Sequence, residues 1–218
     1  MTLPKKALAL TATMALGALA VVGYALHTMQ PLAGYRFWAL IVLALAAARL
    51  KVKLPGLTGN MAVNLPFILI AVAQLSLLEA LLVALPSCAV QCFPKQGGDK
   101  PKLVQFLFNL STTAVAIAVA SRMGTHFALL GAAGFFLAQT VPLAGIIRIT
   151  EGGAIHHIWS GIAHYSFPFY VLSAGITKIV TTSVPQLSWQ VPVFGMLVLY
   201  AIYRSYTSYF RASNPARG

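Results

Sequence analysis

Side-chain amides inside apolar stretches are the residues of this sequence best suited to bind a ligand. Asn60 and Asn64 follow the proline- and glycine-rich stretch LPGLTG, and their spacing predicts one shared helix face. Gln105 and Asn109 have the same spacing in another apolar stretch. Amides cut off from water persist where protein buries them or where they line a wet cavity. The four residues therefore predict a neutral, hydrogen-bonding pocket for a small ligand, with plain contacts between helices as the alternative.

Histidines form a second candidate group. His156, His157 and His164 lie at the start of one apolar stretch, and the last two share a helix face at a spacing of seven residues. Their imidazoles would be about 10 Å apart, so a metal or haem would need ligands from another helix. We therefore expect no metal site and interpret His157 and His164 as candidate pocket-lining residues.

The acidic residues of this sequence do not indicate an enzyme active site. The segment Ser76-Leu77-Leu78-Glu79 has the pattern of a helix-capping box, and Asp99 and Glu151 fall in predicted loops. The sequence shows no glycine-rich phosphate loop, zinc-protease motif or nucleophile elbow. We expect no enzyme activity. The alternative is an intramembrane enzyme in which His157 or His164 faces a carboxylate or serine on another helix.

Composition indicates the solvent that surrounds these residues. Of the 218 residues, 59% are hydrophobic and 8% are charged, which is too little charge to cover a water-soluble domain. The net charge of +12 comes from basic residues placed singly or in small groups between apolar stretches. That placement is typical of loops at a membrane surface and excludes a nucleic-acid partner, so the lipid bilayer is the expected environment.

Eight apolar stretches predict an all-α, polytopic membrane helix bundle with about eight transmembrane helices. The second and third are short for a hydrocarbon core of roughly 30 Å. No hydrophilic stretch is long enough to fold separately, so residues 1–218 are predicted to form one integral membrane domain. Gly131 and Gly134 indicate a close helix contact in the sixth stretch. The stretches are 7–26, 36–50, 60–75, 77–93, 103–122, 127–147, 157–177 and 191–208.

Lysine and arginine positions predict the orientation of this bundle. With the N-terminus in the cytoplasm, only Arg36, Arg122 and Lys178 of the fifteen basic residues fall on the far side. Such an excess of positive charge on one side is typical of cytoplasmic loops. Both termini are therefore predicted to be cytoplasmic. The end of the chain carries Tyr200, Tyr203, Tyr206 and Tyr209 with Arg204 and Arg211, which predicts an interfacial anchor. A functional alternative is that the same helix passes motion to a protein partner.

Four segments resemble the multi-helix membrane region found ahead of GGDEF- or HD-type output domains in some bacterial signalling proteins. They are ARLKVKLPGLTGNM at 48–61, LSLLEA at 75–80, VQFLFN at 104–109 and YRSY at 203–206. The resemblance implies a sensor in the bacterial inner (cytoplasmic) membrane. The sequence contains no output domain, so such a sensor is expected to act through a separate cytoplasmic or membrane partner.

A second resemblance is to the substrate-binding S-components of vitamin transporters. It lies in the small residues of the first helix, Ala9, Thr13 and Gly17, and in the compact hairpin of the third and fourth helices. S-components usually have fewer helices. Our leading interpretation is therefore a membrane-embedded sensor or small-ligand-binding module, and the alternative is the substrate-binding component of a small-solute transporter.

Overall fold

The computed structural model describes residues 4–53, 60–93, 102–124 and 128–183, together with Arg204. These parts of the chain form seven helices and one short antiparallel β-hairpin, which confirms the all-α class. The helices are α1 (Lys5–His27), α2 (Tyr35–Ala48), α3 (Leu65–Gln74), α4 (Leu77–Cys92), α5 (Leu103–Met123), α6 (Ala128–Glu151) and α7 (Ile155–Ser183). The hairpin strands are β1 (Lys51–Lys53) and β2 (Asn60–Ala62).

Three helices of the described chain are long and apolar enough to cross a membrane. They are α1, α5 and the Leu129–Glu151 part of α6. The shorter helices α2, α3 and α4 are apolar as well. The protein is therefore a membrane protein, and its first seven apolar stretches each contain a helix. The eighth stretch lies outside the described residues, apart from Arg204.

The start of the third apolar stretch differs from the predicted helix. Asn60 belongs to β2, whose residues pair antiparallel with β1 from Lys51↔Ala62 onwards. Asn64 is the N-cap, and α3 begins only at Leu65 with proline in its first turn. Proline is tolerated there because the first N–H groups of a helix have no partner within the helix. The predicted shared helix face of Asn60 and Asn64 is therefore wrong.

The short helix α3 occupies the centre of the bundle. All of its residues from 65 to 71 are buried, and it packs against α7, α2 and α4. A helix that is apolar on every side is stable only when other elements surround it. At ten residues, α3 is about 15 Å long and spans about half of a bilayer core.

Contacts between residues near the helix ends give the relative directions of three long helices. Tyr24 near the end of α1 lies against Arg122 near the end of α5, so these two helices run in the same direction. Gly145 in the last third of α6 lies against Leu10 in the first third of α1, so α6 runs the opposite way. We call the end of the bundle where α1 and α5 finish the Arg122 end.

Candidate ligand-binding site

Asn64 lies in a buried contact between two helices. Its side chain is 4% exposed, and Nδ2 donates a hydrogen bond of 3.1 Å to Oγ of Ser87 on α4. The Ser87 hydroxyl in turn donates to the Ala84 carbonyl at 2.9 Å. A buried amide needs such partners because water is absent. This contact joins the start of α3 to α4, as expected of a polar interaction between membrane helices.

Gln105 and Asn109 lie on the exposed surface of α5 and have different partners. The side-chain oxygen of Gln105 accepts a bond of 3.4 Å from the backbone N–H of Lys102, just before the helix begins. Nδ2 of Asn109 lies 3.6 Å from Sγ of Cys92 on α4. Asn64, Gln105 and Asn109 thus make three separate contacts, and the Asn60 side chain lies outside the described part. Their role in binding a ligand stays a prediction.

A layer of polar side chains crosses from α4 through α5 to α6. The hydroxyl of Thr113 on α5 donates to Sγ of Cys88 at 3.4 Å and accepts from Nε2 of Gln139 on α6 at 2.9 Å. Cys88 and Cys92 are both reduced. Thr113 is buried, so its hydroxyl gains little from water and these side-chain partners satisfy it. This polar layer couples the positions of three neighbouring helices.

The histidines of α7 lie on its exposed surface. The rings of His156 and His157 contact each other at a tilt of 39°, with centroids 4.1 Å apart, and His164 meets Tyr165 edge to face at 5.4 Å. All three imidazoles are exposed in this arrangement of helices. Within the residues that the structure describes, no group of three or more His, Cys, Asp or Glu side chains could hold a metal ion.

An open cleft of about 490 Å³ lies at the Arg122 end, between α1, α4 and α5. Its walls combine aliphatic side chains with hydroxyl, amide and guanidinium groups from these helices and from the residues that flank α1 and α4. The lining residues are Ala20, Val21, Tyr24, Thr28, Gln30, Ser76, Leu77, Ala118, Ser121 and Arg122. A concave, mostly apolar space with a few convergent polar groups is the usual form of a small-molecule site.

Two polar groups in the cleft wall are suited to bind a ligand. The guanidinium carbon of Arg122 lies 5.3 Å from the centroid of the Tyr24 ring, which is a cation–π contact. Oγ of Ser121, the preceding residue on α5, is buried and has no hydrogen-bond partner. Buried hydroxyls are normally paired. Ser121 lines the cleft, but its Oγ is buried just behind the wall, so a change of side-chain rotamer is needed to bring the hydroxyl into the open space.

Glu79 supports the cleft from behind the wall formed by Ser76. Its carboxylate accepts hydrogen bonds from the Ser76 N–H at 3.0 Å and the Ser76 hydroxyl at 2.8 Å, and from the N–H of Ala33. The predicted capping box is thus confirmed. Because Ala33 precedes α2, one carboxylate holds the start of α4 and the loop before α2 in place. Glu79 is only 2% exposed.

The sequence does not reveal Ser121 as a site residue. A serine followed by an arginine near a helix end is common, and Arg122 is notable there only as a basic residue on the predicted far side. Both become site residues only when α1 and α4 pack beside α5. Comparison with known proteins finds no match to the chain among family models, curated proteins or solved structures.

Proposed function

We propose that the protein is a membrane-embedded sensor that binds a small ligand in the cleft at the Arg122 end. The observation that carries this proposal is a cleft formed by three helices, with the unpartnered hydroxyl of Ser121 buried just behind its wall. Burial of a hydroxyl without a partner costs free energy, and a ligand that hydrogen-bonds this hydroxyl after its side chain rotates into the cleft would recover that free energy.

A ligand in the cleft would act on the relative positions of helices. The walls come from α1, α4 and α5, and the polar layer ties α5 to α4 and α6 through Thr113. Binding shifts a conformational equilibrium when the ligand interacts differently with the two arrangements. A cleft with walls from three separate helices meets this condition, because the contacts of a ligand change when those helices move. The resemblance to membrane regions of signalling proteins supports the same reading.

The proposal includes the topology predicted from the sequence, with about eight spans and both termini in the cytoplasm of a bacterium. Described basic residues support it, because Arg36 and Arg122 lie at the Arg122 end while more lie towards the other end. That other group comprises Lys5, Lys6, Arg49, Lys51, Lys53, Lys102 and Arg148. In this orientation the cleft opens on the side away from the cytoplasm.

A thermal-shift screen of the purified protein in detergent tests the proposal. Vitamins, nucleobases, quinones, haem and divalent metals are added to the wild type, Ser121→Ala and Ser160→Ala. Ser160 is the matched control, since it is exposed and bonds only the His157 carbonyl of its own helix. At 100 times Kd, a ligand stabilises the folded state by about 2.7 kcal/mol.

We expect at least one compound to raise Tm in the wild type and in Ser160→Ala. The same compound should bind Ser121→Ala about 5–10-fold more weakly, because that variant lacks one hydrogen bond to the ligand. Absence of any shift contradicts the proposal. So does a shift that Ser121→Ala retains and Asn109→Ala loses, because the site would then lie at the amides predicted from sequence.

A further inference from the structure

We infer that the cleft takes an amphiphilic anion, with a carboxylate or phosphate at Arg122 and an apolar portion along the aliphatic wall. This inference rests on the proposed function, since it names the ligand class of the same cleft. It follows from the charge of the lining residues, from the geometry of Arg122 and from the division of the walls into polar and aliphatic parts.

The charge of the lining residues selects for an anion. Arg122 is the cation among them, and none of the lining residues is acidic. A cationic ligand would therefore meet a like charge with no carboxylate in the wall to offset it. An anion would instead gain both Coulomb attraction and charge-assisted hydrogen bonds from the guanidinium.

Arg122 carries a group that suits a planar or tetrahedral oxyanion, and Tyr24 holds it beside the cleft. Its guanidinium carbon lies 5.3 Å from the centroid of the Tyr24 ring. The N–H donors project from the edge in a fork that matches two oxygens of a carboxylate or phosphate. The hydroxyl of Ser121, on the adjacent residue, is buried without a partner and would donate to the same ligand after its side chain rotates into the cleft.

Glu79 does not make the cleft acidic, although Ser76 beside it lines the wall. The carboxylate is buried and directed at the backbone N–H groups of Ala33 and Ser76 and at the Ser76 hydroxyl. These donors stabilise the negative charge away from the open space. The other described acidic residue, Glu151, ends α6 at the far end of the bundle.

The aliphatic part of the wall indicates an apolar portion in the ligand. The cleft is lined by Ala20 and Val21 on α1, Leu77 on α4 and Ala118 on α5. Inorganic phosphate alone would leave these surfaces unused, whereas an acyl or alkyl chain would bury them. An anionic lipid and a free fatty-acid-like molecule share this chemistry, and the experiment below separates these two sources.

Matched amphiphiles test the inference in a non-ionic detergent. Thermal shifts are measured with decyl phosphate, decanoate, decanol and inorganic phosphate on the wild type, Arg122→Gln, Arg122→Lys and Arg36→Gln. Arg36 is the matched control because it is exposed at the same end and lies over the ring of Tyr35 at 5.9 Å. Native mass spectrometry of the same preparations then records any co-purified phosphatidylglycerol.

We expect decyl phosphate or decanoate to raise Tm more than decanol or inorganic phosphate does. Arg122→Gln should weaken this binding about tenfold or more, Arg122→Lys should weaken it less, and Arg36→Gln should leave it unchanged. High salt should weaken anion binding to the wild type, which tests the charge without any substitution. If phosphatidylglycerol co-purifies with the wild type but not with Arg122→Gln, the natural ligand is a membrane lipid. If decanoate binds and no phosphatidylglycerol co-purifies, the natural ligand is a free amphiphile.

Two results would overturn the inference. If decanol stabilises as strongly as decyl phosphate, and Ser121→Ala abolishes both effects, the cleft remains a ligand site but its ligand is not an anion. If Arg122→Gln and Arg36→Gln have equal effects, the anion does not bind at Arg122. A complete absence of shifts in this series and in the wider screen removes the proposed function as well.

Discussion

Glu79 is a buried carboxylate in an apolar helix, and its hydrogen bonds give it a structural role. Its oxygens accept from Ser76 twice and from Ala33 once, which joins the start of α4 to the loop before α2. Glu79→Gln keeps the shape but replaces one acceptor oxygen by a donor facing N–H or O–H groups. We expect the free energy of unfolding to fall by about 1–3 kcal/mol.

Unfolding of the Glu79 variant is followed by SDS titration in mixed micelles. Glu151→Gln is the control, because Glu151 is exposed at the end of α6 and its change should stay within about 0.5 kcal/mol. Equal stability of the two variants would show that the carboxylate of Glu79 does not hold these elements together.

Asn64 shows how much of a single residue's contacts can be predicted from its residue type. An amide in an apolar stretch must find a partner, and this requirement follows from sequence. Ser87, its partner, is 23 residues away on another helix, and no local pattern connects the two. The need for a hydrogen bond was therefore predictable, and a contact with a neighbouring helix was one of the two predicted ways to meet it, but Ser87 could not be identified as the partner.

At the scale of elements, the contact between α5 and α6 depends on glycine, which has no side chain, at position 131. A Cβ added at Gly131 would lie 3.0 Å from Cα of Gly124 and 3.1 Å from the carbonyl oxygen of Ala120. Both neighbours are backbone atoms, so they cannot rotate away. We expect Gly131→Ala to lower the free energy of unfolding by about 1–3 kcal/mol, because the helices must separate.

Gly175→Ala is the matched control for this contact. Gly175 lies within α7 and is exposed, and an added Cβ there meets nothing within 4 Å. Alanine favours the helix by up to about 1 kcal/mol relative to glycine, so this variant should be neutral or stabilised. The same SDS titration compares the two variants. A Gly131→Ala protein as stable as Gly175→Ala would contradict the close packing of α5 on α6.

The beginning of α3 shows why the boundaries of elements were harder to predict than their existence. An apolar stretch from residue 60 suggested a helix, yet residues 60–62 pair with β1 and the helix begins only at Leu65. Pairing with a strand nine residues earlier is a contact between segments that hydropathy does not register. The capping box of α4 is local, and its residues sufficed to place that helix start.

At the scale of the whole molecule, the proposed orientation in the membrane rests on the distribution of positive charge. We expect Arg36→Cys, at the Arg122 end, to react with a membrane-impermeant maleimide on intact cells. Arg148→Cys, at the other end, should react only after permeabilisation, because the basic end is retained in the cytoplasm. Both side chains are exposed, so accessibility within the protein is matched.

The wild type serves as the background for this labelling, since Cys88 is buried and Cys92 is partly buried. Labelling of Arg148→Cys but not of Arg36→Cys on intact cells would invert the topology. It would also place the cleft on the cytoplasmic side, leaving its geometry unchanged.

The sequence alone determined the class of this protein and most of its helices. Hydropathy and local capping act over a few residues and directly report the solvent and the helical segments. Tertiary structure decided where the polar groups meet. Asn64 and Asn109 contact α4, whereas Ser121 and Arg122 line a cleft with α1, because each contact joins residues far apart in the chain. Such pairings depend on how whole helices pack, and residue types or spacings within one segment do not specify them.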